Sequence, residues 1–407
     1  MPKRDPLGVW LYGLRVAELT STGPGVVVCR YTPDALERWP LNTPLLSCSL
    51  PLSARPLRGD LFFSGLLPEG QHRQAMAAMA GVPSYDTFGL LARFGRDVAG
   101  AAVVAEEDVG PRPGSVVPYS ETDLAAEVEA LPARPLGLHD DSELSIAGLQ
   151  DKLLLVRLDD GTWGRPVHGR PSTHILKVED RRFPGMAELE AGCLRLATAV
   201  GLSTVDATVL RVADVPCLVV SRFDRRVTDD GDVERVHDED ACQALARDPE
   251  ASRGRGKYEN AGGPSLREVA RLLDRYSHDA LGELDRLVRA VVFTVVIGNA
   301  DAHGKNVSLL HVEPGVVSLA PLYDTVPTVL WPKLRRKAAM SVNGRAGLDR
   351  LTIADVVAEA GTWGLDATTA RSAAEETAAS LHEMAAGLDL PDQLAASVVA
   401  RAAALSA

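Results

Sequence analysis

The stretch Asn299-Ala-Asp-Ala-His-Gly-Lys-Asn306, with the Leu322-Tyr-Asp324 that follows it, decides how this chain is interpreted. Asp301 and Asn306 are close enough in sequence for one tight loop to carry a carboxylate and a carboxamide. In phosphoryl transfer such a pair divides two tasks, because the Asp faces the acceptor hydroxyl and the Asn holds Mg²⁺. Asp324 adds a second oxygen ligand, and Mg²⁺ usually takes only one or two protein carboxylates besides nucleotide phosphates. The spacing therefore predicts an ATP-dependent kinase.

The residues on either side of this motif strengthen the prediction. On their own, an Asp and an Asn at this spacing are often an ordinary polar turn whose side chains bond nearby backbone. Here the motif follows the apolar segment 287–297, which is typical of a buried helix, and precedes strand-like runs at 307–312 and 315–320. A hairpin of these two runs would return Asp324 to the side of the loop.

The upstream half offers a cation for nucleotide phosphates. The short strand-like run 173–178 carries Lys177 among apolar neighbours. A strand lysine contacts phosphates in kinases, although a lysine that extends its ammonium from an ordinary strand into solvent is the alternative. The helical run 186–197 follows, and Glu190, or with a weaker case Glu188, can pair with Lys177. A surface glutamate on a helix is the alternative there.

Two further segments suit a nucleotide site. Residues 142–156 join a turn of small residues around Gly148 to an apolar strand, and Lys152 stands at the junction, where backbone N–H groups could face a phosphate. No Gly-Lys-Ser/Thr follows, so this is not a Walker motif. Residues 216–226 form a buried-strand pattern that ends in charged side chains, as an adenine-contacting hinge or an ordinary core strand would.

Seven segments occur in a fixed order along the chain. They are Ser145-Ile-Ala-Gly-Leu-Gln-Asp-Lys152, Thr173-His-Ile-Leu-Lys177, Ser221-Arg-Phe-Asp-Arg225, Asp240-Ala-Cys-Gln243, Lys257-Tyr-Glu259 with Gly262-Gly-Pro264, Gly298-Asn-Ala-Asp-Ala-His-Gly-Lys-Asn306 and Pro321-Leu-Tyr-Asp324. Together they resemble the HipA-type serine/threonine kinases, the toxin halves of bacterial toxin–antitoxin pairs. The resemblance covers nearly the whole chain, because the region from Val9 to Ala101 looks like the amino-terminal region of that family.

The resemblance implies a role for each matched residue. Asp301 would be the catalytic base. Ser145 matches the serine that the family phosphorylates on itself, and a phosphate there would repel the ATP phosphates by its charge. The other implied roles are Mg²⁺ ligation by Asn306 and Asp324, contact with the ATP phosphates by Lys177, a phosphate-covering loop made by Gly148 and Lys152, contact with adenine and ribose by Arg222, Phe223 and Asp224, and lining of the nucleotide site by His303 and Tyr323. A turn serine at position 145 and a structural histidine at position 303 are the alternatives.

Composition and charge exclude several classes of protein. The 407 residues carry 43 basic and 55 acidic side chains and a net charge of −12, a poor match for nucleic acid, so contact with DNA would need a basic partner. No long uncharged apolar stretch predicts a membrane span, and the charged start of the chain is unlike a signal peptide. Five scattered cysteines without metal-ligand spacing suit buried thiols in a reducing cytoplasm.

The order of the segments predicts an α+β chain with a two-lobed protein-kinase-like fold. Residues 1–105 would form a mixed α/β HipA N-terminal subdomain, 106–226 the ATP-binding N-lobe, and 227–407 a mostly helical C-lobe with the catalytic loop. The first boundary is placed at Glu106-Glu107-Asp108. A capping box at Ser120–Asp123 opens a helix with Leu124, Val128 and Leu131 on one face, and the tail from residue 352 is helical with a break near 387–391.

These expectations combine into one predicted function. The chain would transfer the γ-phosphate of ATP, with Mg²⁺, to a Ser or Thr hydroxyl of a protein, and autophosphorylation would limit its activity. By resemblance the target would be a translation component such as an aminoacyl-tRNA synthetase, the partner a small DNA-binding antitoxin of the HipB type, and the result growth arrest or persistence. The two rivals are a catalytically silent ATP-binding corepressor that works with the antitoxin, and a small-molecule kinase.

Overall fold

The computed structural model describes residues 4–106, 109–148 and 150–406. Two residues of the predicted boundary, Glu107 and Asp108, lie outside them, as do the first three residues of the chain, Leu149 of the predicted phosphate loop, and Ala407. The fold consists of two compact units. The first comprises 1–178, 210–239 and 310–315, and the second comprises 179–209, 240–309 and 316–407. The three-part division expected from the sequence stays a prediction.

The first unit begins with a five-stranded sheet and four helices. The strands pair in the order β4-β3-β2-β1-β5, and every pairing is antiparallel. The buried face of the sheet packs on an aromatic core that includes Phe62, Phe63 and Phe94. These elements are β1 (Leu7–Leu11), β2 (Leu14–Gly23), β3 (Val26–Tyr31), α1 (Pro33–Arg38), β4 (Leu57–Arg58), α2 (Asp60–Gly65), α3 (Gly70–Ala80), α4 (Thr87–Phe94) and β5 (Val103–Glu106).

A second sheet of six strands completes most of the first unit. Its order is β10-β11-β9-β7-β8-β6. Its strands are β6 (Ser115–Pro118), β7 (Lys152–Arg157), β8 (Trp163–Val167), β9 (His174–Val178), β10 (Ala207–Val212) and β11 (Val215–Ser221). The helix α5 (Glu121–Ala130) lies between β6 and β7 in the chain, and further strands outside this sheet are β12 (Arg225–Val227), β13 (Val233–Arg235), β14 (His237–Asp240) and β15 (Ser308–Glu313). The predicted capping box is confirmed, because Ser120 and Asp123 bond each other's backbone and Leu124, Val128 and Leu131 are buried.

The second unit is mainly helical. Its central helix α10 packs against α9, α11, α12 and α13, and α6 contacts α12 and α13. The elements are α6 (Met186–Ala199), α7 (Ala241–Ala244), α8 (Ala251–Gly254), α9 (Leu266–Tyr276), α10 (Ala280–Ile297), β16 (Val316–Leu319), β17 (Lys337–Val342), β18 (Arg345–Gly347), α11 (Ile353–Gly361), α12 (Ala367–Gly387) and α13 (Asp392–Ser406). Among the residues that the model describes, no helix combines the length and the apolar character needed to cross a bilayer.

Candidate active site

The end of α10 fixes the loop that carries Asp301. Gly298 follows the helix with a φ of 77°, and a Cβ at this position would lie 2.2 Å from a methyl group of Val329, so that only glycine fits the reversal of the chain. The backbone N–H of Asp301 then donates to the side-chain oxygen of Asn299 at 2.9 Å. The N–H of Ala300 donates to the Thr328 hydroxyl at 2.8 Å. Side-chain oxygens, and not the backbone bonds of a helix or strand, therefore hold this part of the loop.

Asp301, Asn306 and Asp324, which the sequence predicts to converge, are brought together in the second unit. The Asn306 amide nitrogen donates to the backbone carbonyl of Asp301 at 3.0 Å, across the short 3₁₀ turn Gly304–Asn306. Asp324 is near enough for its charge to raise the pKa of Asp301. It also has a φ of 52°, a left-handed conformation that is uncommon for residues other than glycine and is often found at functional sites.

Burial and charge shape the electrostatics of this loop. Burial is the main cause that raises the pKa of Asp301 above its ordinary value. A hydrogen bond from Tyr258 opposes the rise, the charge of Asp324 adds to it, and the cations Lys257 and Arg335 oppose it. The buried imidazole of His303 has its pKa lowered to about 3, first by burial and then by Lys257, so this side chain is neutral at physiological pH. The loop thus presents carboxylates beside a neutral histidine.

The donor set suits Mg²⁺ better than a softer metal. Asn306 uses its amide nitrogen for the bond to Asp301, which leaves its amide oxygen as the atom that could coordinate a cation. Asp324 adds a carboxylate, and hard cations prefer such oxygen donors. No group of three or more His, Cys, Asp or Glu side chains that could hold a metal occurs within the described ranges. A nucleotide-assisted Mg²⁺ site does not need such a group, because phosphate oxygens supply further ligands.

The side chains of Tyr323 and Lys305 help to hold the loop in position. The Tyr323 hydroxyl donates to the Lys305 carbonyl at 2.8 Å and bonds the Ser308 hydroxyl at 2.6 Å. The buried Lys305 ammonium forms an ion pair at 3.0 Å with Asp240, the N-cap residue of α7. The hydroxyl of Tyr323 is therefore used to position the loop, and the predicted contact with nucleotide remains only for its ring.

The predicted phosphate-binding residues lie together in the first unit. Lys152 and Lys177 stand directly opposite each other in the paired strands β7 and β9, so their side chains share one face of the sheet. Both are almost fully buried. The Lys152 ammonium donates to the Ala147 carbonyl at 2.8 Å, and Gly148 passes beneath it with a φ of +117° and no room for a Cβ, which would lie 2.2 Å from this nitrogen. The two lysines thus give this face of the sheet two positive charges.

The charged residues of the predicted hinge take part in a buried hydrogen-bond network. The Arg222 guanidinium donates to both carboxylate oxygens of Asp224 and to the Ser172 hydroxyl, and both charged residues are buried. Asp224 also accepts a bond from Gly100 N. The Arg222 and Asp224 side chains thus face a protein network, and the contact of residues 222–224 with adenine and ribose stays a prediction.

Ser145 and Glu190 are both buried. The Ser145 hydroxyl donates to the Leu66 carbonyl at 3.2 Å and is fully enclosed, so it is inaccessible as a phosphate acceptor in this conformation. Glu190 lies on the inner face of α6. Burial is the main cause that raises the pKa of the Cys193 thiol, and the charge of Glu190 raises it further. Because Glu190 and Lys177 belong to different units, their pairing stays a prediction.

The most important residue that sequence reasoning missed is Tyr258. Its hydroxyl donates to Asp301 Oδ1 at 2.5 Å. From its sequence, the loop around Lys257 and Tyr258 is equally typical of a tight turn and of a substrate-facing segment. No pattern links this loop to Asp301, because Tyr258 and Asp301 are 43 positions apart. Arg335, which belongs to a short basic run, packs over the Tyr258 ring with its guanidinium carbon 4.6 Å from the ring centre.

Two protein-family models match this chain. Residues 7–105 match the family model of the HipA N-terminal domain, and residues 144–385 match that of the HipA-like C-terminal domain. The chain belongs to the HipA family. Among curated proteins it is similar to "Putative kinase Y4mE" of Sinorhizobium fredii, with 41% identity over 84% of this chain and 82% of that protein.

The chain is also similar to HipA of Shewanella oneidensis in sequence and in fold. The serine/threonine-protein kinase toxin HipA of that organism is 27% identical over 77% of this chain and 72% of the toxin. The solved complex of Shewanella HipA with HipB and operator DNA contains a chain with a TM-score of 0.79 and 23% identity, covering 98% of this chain and 95% of that one. The likeness confirms the predicted fold class, an α+β kinase-like fold.

Proposed function

We propose that this HipA-family chain is a serine/threonine protein kinase that uses ATP and Mg²⁺. The observation that carries the proposal is the cluster in the second unit, where the Asn306 amide bonds the Asp301 carbonyl and the charge of Asp324 reaches the Asp301 carboxylate. A base, an amide oxygen and a second carboxylate on one loop cluster are what phosphoryl transfer needs from a protein. Positioning and charge neutralisation then lower the barrier.

In this proposal each side chain has one task. Asp301 accepts the proton of the attacking Ser or Thr hydroxyl, and its raised pKa keeps it basic enough to do so. Asn306 and Asp324 hold Mg²⁺, which when bound neutralises charge on the ATP phosphates. Lys152 and Lys177 give the first unit a paired positive face for phosphate oxygens, with the Gly148 turn beside it. Tyr323 and Lys305 hold the loop of Asp301 and Asn306 in position.

Autophosphorylation at Ser145 is the proposed self-limiting step. The Ser145 hydroxyl is enclosed, and its backbone N–H bonds the carbonyl of Asp97. A phosphate of about −1.5 to −2 charges has no room at this position, so the modified loop would have to leave its site. Because Gly148 and Lys152 follow directly, its departure would remove the phosphate-facing turn and stop ATP binding.

The partner and target are proposed from the family. The Shewanella complex contains HipB and operator DNA, so we propose a HipB-like DNA-binding antitoxin for this chain. The net charge of −12 supports a division of labour in which the partner contacts the DNA. A cytoplasmic translation component such as an aminoacyl-tRNA synthetase would be the substrate, and its modification would cause growth arrest or persistence.

Transfer of label from γ-labelled ATP tests the proposal. Wild-type chain and Asp301→Gln are incubated with ATP, Mg²⁺ and cell lysate, and the labelled species are separated by size. We expect labelled protein, with phosphoserine or phosphothreonine, from the wild type alone. Asp301→Gln should still bind ATP within about tenfold of the wild type, because the base contacts the acceptor and not the nucleotide. Binding without transfer would favour the silent corepressor, and label only in small molecules would favour a small-molecule kinase.

A further inference from the structure

The acceptor side of Asp301 is occupied by a residue of the same chain. Tyr258 donates its phenol proton to Asp301 Oδ1 at 2.5 Å. A general base in phosphoryl transfer takes its proton from a hydroxyl within about 2.6–3.2 Å. The phenol therefore makes the bond that the hydroxyl of a protein substrate would need to make. No residue in the sequence motif predicted this contact.

The position of Tyr258 is held from several sides. The Arg335 guanidinium stacks over its ring at 4.6 Å, and the His303 ring meets it edge to face at 5.2 Å between centroids. The neighbouring Lys257 carbonyl accepts a bond from Gly304 N at 3.0 Å, which ties the Tyr258 loop to the loop of Asp301. Glu259 accepts a bond from Ser341 N on β17. Such a built arrangement argues against a surface tyrosine that meets Asp301 by chance.

We infer that Tyr258 acts as an internal pseudosubstrate: its hydroxyl occupies the acceptor position at Asp301, and an incoming acceptor hydroxyl must displace it. The inference rests on the proposed kinase function and adds a means of regulation to the same site. Whatever moves the Tyr258 loop, such as a docked protein substrate, would open the base. In the resting chain, the phenol competes with water for the acceptor position, so ATP is consumed only slowly without a substrate.

A different role for the same contact predicts the opposite result. If Tyr258 oriented the base during transfer, removal of its hydroxyl would slow turnover. As a competitor for the acceptor position, its removal should speed the entry of any other hydroxyl, including water. The two roles are therefore separated by the sign of one rate change, measured with water as the acceptor.

The test is the rate of phosphate release from Mg²⁺-ATP by wild type, Tyr258→Phe and a matched control, Tyr276→Phe, which removes a phenol hydroxyl from α9 in the same unit. A hydrogen bond to a charged group is strong enough that we expect about a tenfold faster release from Tyr258→Phe. The KM for ATP should not change, and Tyr276→Phe should match the wild type. Arg335→Leu, which keeps the hydroxyl but removes the stacked cation, should give a smaller increase.

The outcomes separate this inference from the function on which it rests. Release by Tyr258→Phe at or below the wild-type rate, with the variant folded by its thermal melt, would overturn the pseudosubstrate role alone. The same holds if Tyr276→Phe shows an equal increase. No phosphate release by any of the four proteins, together with no transfer of label to protein in the lysate experiment, would overturn the proposed kinase function, and the inference with it.

Discussion

At the scale of single residues, the opposed pair Lys152 and Lys177 leads to the most direct prediction about ATP binding. Two ammonium groups on directly opposite positions of paired strands repel each other, and both are buried. Lys177→Met should therefore weaken ATP binding by about tenfold or more, since one of the two charges proposed to bind the ATP phosphates is lost. The expected readout is a smaller rise of the melting temperature when ATP and Mg²⁺ are added.

An exposed lysine provides the matched control. Lys333→Met removes the same charge from an exposed position in the second unit. It should leave the ATP-induced rise of the melting temperature at its wild-type size. An equal loss in both variants would mean that overall charge, and not the opposed pair, controls binding.

Sequence reasoning at this scale succeeds where a motif is local and fails where partners are distant. Asp301 and Asn306 share one loop, so their spacing in the sequence is informative by itself. The side chain of Arg222, by contrast, bonds Ser172 and the carbonyl of Val98, which are 50 and 124 positions away. A charged pattern after a strand does not reveal whether its side chains face a ligand or a buried network.

At the scale of elements, a buried ionic network joins β12 and β13 to the segment after α4. Asp97 accepts hydrogen bonds from Arg225, Arg235 and the Ser172 hydroxyl. The pKa of Asp97 stays far below its ordinary value because these arginines outweigh the effect of burial. Asp97→Asn would leave the guanidinium of Arg235 without its counter-charge and that of Arg225 with Asp224 alone. We therefore expect a loss of about 3–5 kcal/mol of unfolding free energy.

Denaturant melts of Asp97→Asn and of a control measure this loss. Asp232→Asn is a suitable control, because its side chain is 80% exposed and its ion pair with Arg170 is 4.0 Å long. The control should change stability by less than about 0.5 kcal/mol. If Asp97→Asn is as stable as its control, the network contributes nothing to the first unit.

The sequence predicted most helices of the second unit but not its small sheet. The strongly apolar period of α10 and the break near residues 387–391 were both visible, and both are confirmed. The hairpin of β17 and β18 was missed, because a run such as Lys337–Val342 has little β-branched content and pairs through its tertiary contacts. The tail is also interrupted between α11 and α12, where α11 ends at Gly361 and Gly364 has a φ of 90°. The sequence prediction placed a break only near residues 387–391 and so missed this one.

At the scale of the whole molecule, stability should fall in mild acid. Burial, with the nearby His311, lowers the pKa of His237 from 6.5 to about 4, while a bond to the Leu46 carbonyl and the charges of Glu239 and Asp224 oppose this shift. The unfolded chain therefore binds a proton that the folded chain refuses between these values. The resulting loss of unfolding free energy is absent above about pH 6.5 and grows as the pH falls towards 4. It reaches about 3 kcal/mol at most.

A calorimetric pH series detects this effect. The melting temperature of the wild type should fall steadily from pH 6.5 to pH 4, whereas His237→Gln should show a flatter curve over that range. His278→Gln, at an exposed position, should follow the wild type. Glu239 and Asp97 have lowered pKa values, and each adds a loss that begins near its ordinary pKa, 4.5 for Glu239 and 3.8 for Asp97, and grows at lower pH. A wild-type curve that is flat from pH 6.5 to pH 4 would refute the role of His237.

A double-mutant comparison of Asp301→Gln and Asp324→Asn tests the central claim most directly, namely that these two carboxylates serve one phosphoryl-transfer site. The kcat/KM for transfer from Mg²⁺-ATP is measured for wild type, both single variants and the double variant. Residues that act as one unit have strongly non-additive effects. We predict that the double variant is no slower than the worse single variant, within about threefold. Losses that multiply in the double variant would show two independent sites and contradict the account.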